Sequence, residues 1–178
     1  MPPRHITLGG LDKSALLERL EAQGVQINEI GRSLFQDRRF TTEPMPGTVE
    51  VVFVTLADLG LTHGGVYAQV AERARARGLC LCPLELAAHQ RLQWLNQPSA
   101  PVEASAVRHR APPGAVTVMT EAPPDDEDLP WGFYLRRLGD TLWLRGYRSW
   151  SGHLKAADEC LVFMRPGEPG PQKPEIRR

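Results

Sequence analysis

Thiols and imidazoles are the groups in this chain best suited to holding a metal, and Cys80, Cys82 and His89 lie close together in sequence, with His63 upstream. Zinc prefers such ligands. Structural zinc sites draw on Cys-x2-4-Cys pairs, however, and two residues separated by one position on an extended segment point to opposite faces. Buried, inert thiols are the expected reading, with Cys80, Cys82 and His89 as the lesser alternative, and no metal or other cofactor is expected. The same spacing argues against a bridge between Cys80 and Cys82, and an odd total of three cysteines fits a reducing compartment.

Nucleophilic catalysis needs a hydroxyl or thiol with a base in reach. Ser149, Ser151, His153 and Cys160 fall in no nucleophile-elbow or Cys-His signature. Carboxylate pairs such as Glu18 with Glu21, or Asp158 with Glu159, sit where surface helices and turns ordinarily carry charge. The sequence therefore assigns no catalytic residue and leans away from an enzyme.

Two other stretches have the residue types for binding. Asp58, Thr62, His63, Gly64 and Gly65 lie in a loop after a strand-like run and before a helix-like one, where free backbone N–H groups can hold an anion. The loop matches neither a Walker pattern nor Gly-x-Gly-x-x-Gly, so Asp58 and Thr62 are equally suited to satisfying a turn and a helix cap. The second stretch carries Tyr134, Arg136, Trp143 and Arg145, which a hairpin would place on one face. Aromatic rings interleaved with guanidinium groups stack bases and grip phosphates. A half-buried antiparallel sheet, with aromatics inward and arginines outward, follows from the same alternation and is the blander reading.

The elements that must position these groups follow from periodicity and caps. Asp12 as N-cap and Gly24 as terminator bound a helix over 13–23 with Leu16, Leu17 and Leu20 on one stripe, and Asn28 caps a shorter one to about residue 37. Residues 49–56 are β-branched and apolar on both faces, as expected of a central strand covered on both sides. A helix over 64–77 ends at Gly78, a short strand over 79–82 follows, and Pro83 starts a helix to about residue 95, with Leu84, Leu86, Ala87, Leu92 and Leu95 apolar. Strand, helix, strand, helix predicts one parallel β-α-β-like crossover.

Residues 97–114 hold four prolines and read as a surface connection. Strands are then predicted over 115–120, 132–138, 141–147 and 159–164, with Gly139-Asp140 as a two-residue hairpin turn. The predicted fold class is α+β: N-terminal helices and the crossover, about 1–97, packed with a C-terminal antiparallel sheet, about 114–165. Together they make one domain over 1–165, and the Pro- and Gly-rich residues 166–178 form a flexible tail.

With 178 residues, 42% of them hydrophobic, the chain has the material for one sizeable core. Lys plus Arg equals Asp plus Glu at 21 each, so no overall field draws in nucleic acid or anionic lipid. No secretory signal or membrane-length apolar run is evident, and the expected location is cytoplasmic.

The block Ala57-Asp58-Leu59-Gly60, then Leu81-Cys82-Pro83, then Arg91-Leu92-Gln93 with Gln97-Pro98, resembles a family of small bacterial proteins of no known activity. The resemblance extends to the leucine-rich first helix and the late tryptophan-containing strands. It implies that the two halves form one unit, and it carries over no catalytic residue. The leading functional expectation is a non-catalytic binding or interaction protein whose partner is left undecided, a protein or peptide being favoured over nucleic acid. The alternatives are a small-ligand domain or enzyme using the Asp58 to Gly65 edge, and single-stranded nucleic-acid binding through the hairpin, which neutral net charge disfavours.

Overall fold

The computed structural model describes residues 1–100, 110–124 and 129–166. Among them the chain forms, in order, β1 (Arg4–Leu8), α1 (Lys13–Ala22), β2 (Gln26–Ile27), α2 (Glu29–Gln36), β3 (Gly47–Thr55), α3 (Tyr67–Arg75), α4 (Leu84–Gln93), β4 (Val116–Val118), β5 (Pro130–Leu138), β6 (Thr141–Arg148) and β7 (Cys160–Met164). No helix among them is long and apolar enough to cross a membrane.

The caps act as the residue types dictate. Asp12 accepts from the Ala15 N–H at 2.8 Å to start α1, and Gly24, at φ +71°, follows its end. Asn28 does two jobs. Its Oδ1 accepts from Gly31 N–H at 3.0 Å, starting α2, and its amide also exchanges hydrogen bonds with the Gly146 backbone, at 2.8 Å and 2.9 Å. A Cβ on Gly146 would lie 2.5 Å from the Gly31 nitrogen, so glycine is what lets α2 rest directly on β6.

All seven strands join one sheet in the order β1-β3-β7-β4-β5-β6-β2. The β4–β7 and β2–β6 pairs are parallel and the rest antiparallel. The fold is thus α+β, with strands from both ends of the chain interleaved in a single mixed sheet rather than a helical half set against a separate β half. Residues 49–56 do form an interior element: β3 lies between β1 and β7.

The predicted crossover is corrected. Residues 79–82 form no strand, only a single antiparallel bridge from Cys80 to Met164. Both edges of β3 are already taken by antiparallel neighbours, so no parallel partner can be added there. Pro83, lacking an N–H, stops any extension. β1 went unpredicted because its residues, Arg4 to Leu8, alternate over only five positions, with Ile6 and Leu8 as the buried pair.

One face of the sheet presents Val51, Phe53, Val116, Val118, Leu135 and Val162 to a core completed by α1, α2 and α4. On the other face Leu161, Phe163, Val52 and Val54 pack with Val70 and Ala74 of α3. The β4–β6 part of that second face carries Thr117, Tyr134, Arg136, Trp143 and Arg145 in register.

Helix α4 departs most from its expected stripe. Glu85, His89, Gln90 and Arg91 are buried, whereas Leu95 is exposed. These polar groups tie the fold together. Gln93 lies against the free edge of β1, accepting from Thr7 N–H at 2.9 Å and donating to the Thr7 carbonyl at 2.8 Å. His89 Nε2 accepts from Gly9 N–H at 3.2 Å, so it carries a lone pair and is not the charged partner of Glu85, 3.7 Å away. Burial, then the Arg19 charge, lowers the His89 pKa, and burial raises that of Glu85, so both shifts oppose the charged forms. Arg91 donates to Gln97 Oε1 at 2.6 Å and to the Trp94 carbonyl, and Gln97 donates on to Leu135 and Gly114 carbonyls.

Candidate functional site

Three cavities meet at the segment before β7. The largest, about 550 Å³, lies between Trp94, Gln97 and the starts of β4 and β7. A second, about 230 Å³, is bounded by Thr117, Tyr134, Tyr147, Ser149, Lys155 and Glu159, with Arg110, Arg148 and His153 at its rim. A third, about 440 Å³, runs past Thr62, His63, Leu154 and Asp158. Lys155 borders the second and the third, and Glu159 the first and the second.

Lys155 is held by its backbone. Its carbonyl accepts from Gly65 N–H at 3.1 Å, and its N–H donates to the Gly65 carbonyl at 3.0 Å. Gly64, at φ +87°, makes the approach feasible, since a Cβ there would lie 2.3 Å from the Lys155 oxygen. The residue is only 6% exposed, and its Nζ sits 5.5 Å from the centre of the Tyr147 ring. No carboxylate of the described residues is within ion-pair distance of it. Burial pushes its amine below the usual lysine value, and the more distant Glu159 opposes that shift.

The neighbours are fixed as firmly. Tyr147 stands opposite Gly132 in the β5–β6 pairing, in the space that a missing side chain leaves. The Tyr134 ring lies 6.4 Å from it, centre to centre. Burial raises both phenols above their ordinary range, so each stays a hydroxyl donor at neutral pH. Glu159, buried, uses one oxygen, Oε1, to accept from Ala156 N–H at 3.1 Å and Ala111 N–H at 3.4 Å. Arg110 is committed to Asp158. Burial also raises the Cys160 thiol, to about 11, which leaves it a poor nucleophile.

The residues singled out from sequence are partly brought together. Gly64 and Gly65 hold Lys155, Thr62 and His63 line the third cavity, and Tyr134 lines the second. Asp58 lies apart: it accepts from Thr55 N–H at 2.8 Å while Thr55 Oγ1 accepts from Asp58 N–H at 3.1 Å, a closed turn. These bonds hold its carboxyl below the usual range.

The register does place Tyr134 and Arg136 beside Arg145 and Trp143 on one face. Arg136, however, is buried and donates to the Pro113 carbonyl at 2.9 Å, while Arg145 rests on the Trp143 ring at 5.1 Å. Cys80, Cys82 and His89 are not brought together. Cys80 is exposed, Cys82 is buried with its thiol toward the Val162 carbonyl, and His89 serves Gly9. Among the described residues no three His, Cys, Asp or Glu side chains converge.

Sequence reading missed Lys155, Tyr147 and Glu159 as a group. One signal was present: the chain uses arginine freely and has lysine only at positions 13, 155 and 173. We find no family model that the chain matches, and no match among curated proteins or solved structures.

Proposed function

We propose that this is a small-molecule-binding protein whose ligand is a small organic anion, seated against Tyr134 and Tyr147 with its acidic group toward Lys155. The carrying observation is the buried Lys155 side chain, which faces a cavity without an ion-pair partner. Burying a cation without a counter-charge is costly, and a carboxylate or phosphate would remove that penalty on binding. With Arg110 paired to Asp158, Lys155 and Arg148 stand against the single carboxylate of Glu159, favouring anions over cations. A volume of about 230 Å³ is below the roughly 300–1,000 Å³ of pockets that take drug-sized ligands, which points to a metabolite of a few carbons.

This reading keeps the expectation of a binding protein and moves its site. The Asp58 to Gly65 loop supports the cavity from behind, through Gly64 and Gly65, instead of forming the anion site itself. A peptide or nucleic-acid partner for the hairpin is less supported, because Arg136 is buried and bonded to Pro113.

Thermal unfolding with a panel of two- to five-carbon carboxylates and phosphates tests the proposal. A ligand at 100 times its Kd adds about 2.7 kcal/mol, a Tm rise of roughly 5–10 °C for a chain of this length. Lys155→Met should abolish the rise. A panel without any stabilising anion, or a variant that responds as the wild type does, removes this function.

A further inference from the structure

We infer that the Lys155 amine condenses with a small α-keto acid or aldehyde acid in the Tyr134–Tyr147 cavity to form an imine, an activity that rests on the anion site proposed above. Three observations converge on it. The amine is buried, faces a cavity of metabolite size and has no carboxylate in ion-pair reach. Its backbone is clamped to Gly65 by two hydrogen bonds, and its Nζ lies 5.5 Å from the centre of the Tyr147 ring that lines the cavity. Proton donors and acceptors stand around it: the Tyr147 and Tyr134 hydroxyls, and the Glu159 carboxyl, whose Oε1 alone is taken by backbone N–H groups.

The chemistry balances without any added oxidant or reductant. The neutral amine adds its lone pair to the carbonyl carbon, forming the C–N bond, and one amine proton passes to the carbonyl oxygen to give a carbinolamine. That oxygen then leaves as water while nitrogen gives up its remaining proton. The reaction needs an unprotonated amine at working pH, which burial of Lys155 favours. It also needs a donor to the departing oxygen, and a tyrosine that stays protonated is one. In these acids the carboxylate is bonded to the carbonyl carbon, so an acidic group drawn toward Lys155 brings the carbonyl to the same nitrogen, and Arg148 at the rim supplies positive charge once that nitrogen is neutral.

The small number of lysines makes the test clean. Lys13 donates to the Asp37 carbonyl at 2.9 Å, outside the cavity, and Lys173 is the third. Full-length protein is incubated with pyruvate or glyoxylate, reduced with sodium borohydride, and examined by intact mass and peptide mapping. Expected is one reduced adduct on Lys155, at least about tenfold above that on Lys13, Lys173 or the amino terminus, and none on this peptide in Lys155→Met. Methionine fills a similar volume without a charge, so the variant should fold.

Lactate, the same anion without the carbonyl, is run in parallel by thermal shift. Stabilisation by lactate and pyruvate alike with no adduct overturns the imine and leaves the anion site standing. Labelling spread evenly over all amines overturns it too. No stabilisation and no adduct removes both.

Discussion

Gly65 and Lys155 exchange both of their main-chain hydrogen bonds, at 3.1 Å and 3.0 Å, although neither belongs to a strand. The bridge pins the loop before α3 to the segment before β7. It therefore decides where the one buried amine of the described chain sits, and its neighbour Gly64 is the residue that permits it.

Gly64→Ala should be the most damaging change in that loop. Its φ of +87° disfavours any Cβ, and the added carbon would lie 2.3 Å from the Lys155 carbonyl oxygen. Gly78→Ala shares the left-handed backbone, at φ +70°, but meets nothing within 4 Å, so it isolates the conformational cost of about 1 kcal/mol. Urea unfolding should show Gly64→Ala losing roughly 2–4 kcal/mol, the sum of that cost and the overpacking. Equal losses at the two positions would mean that the bridge yields freely.

The buried amine predicts a slope in stability with pH. Its folded pKa is lowered, so between that value and the ordinary lysine value the unfolded chain holds a proton that the native state does not. Stability then rises with pH through this window. The facing groups are Glu159, Tyr134, Tyr147, His153, Arg148 and Arg110. Raised tyrosine pKa values act in the opposite sense only above about pH 10, where unfolded phenols ionise. Burial raises the thiol pKa values of Cys82 and Cys160, which lowers stability with rising pH in both proteins. The expected signal is therefore a difference: urea midpoints of the wild type should gain on those of Lys155→Met as pH rises toward the ordinary lysine value. Parallel curves would show that Lys155 stays charged in the fold.

How much of this was readable in advance depended on whether the signal was local. Asp12 and Asn28 mark the starts of α1 and α2 because a cap is a contact over three residues, and Gly139-Asp140 marks the hairpin for the same reason. Residues 79–82 were misread as a strand because apolar character says nothing of which neighbours have already filled the edges of β3. Lys155 was illegible for a related reason. It sits in an aperiodic stretch, and its burial comes from Gly65 and Tyr147, both distant in sequence. The polar side of α4 was also hidden: nothing local tells that Glu85 and His89 meet the backbone of Glu43 and Gly9, or that Arg91 turns back to the Trp94 carbonyl at the helix end. The predicted tail beyond residue 166, the middle of the 97–114 connection and the acidic residues 125–128 lie outside the described residues.

Gln93 gives a prediction about association rather than binding. Its amide covers the Thr7 N–H and carbonyl on the free edge of β1, and an uncovered edge is a template for pairing with another chain. Gln93→Ala should cost about 1–2 kcal/mol for two lost hydrogen bonds and should raise light scattering at high protein concentration. Gln93→Glu keeps an acceptor for Thr7 N–H but faces the Thr7 carbonyl with a charge, so it should be at least as destabilising while its repulsion limits association. Unchanged scattering in the alanine variant would mean that the edge is protected by something else.

Asn28 and Gly146 should prove coupled. The Asn28 side chain starts α2 through Gly31 and at the same time satisfies both backbone groups of Gly146, in a place where Gly31 and Gly146 approach too closely for a Cβ on either. Asn28→Ala therefore loses a cap worth about 1 kcal/mol and leaves the Gly146 N–H and carbonyl without partners, a further cost of about 1–3 kcal/mol. Asn28→Asp keeps Oδ1 as acceptor for both N–H groups but cannot donate to the Gly146 carbonyl, so its loss should fall between wild type and alanine. Gly146→Ala pushes α2 off β6 and breaks the same bonds. Its effect combined with Asn28→Ala should be less than additive by about 1 kcal/mol or more, and simple additivity in urea unfolding would show that the two residues act independently.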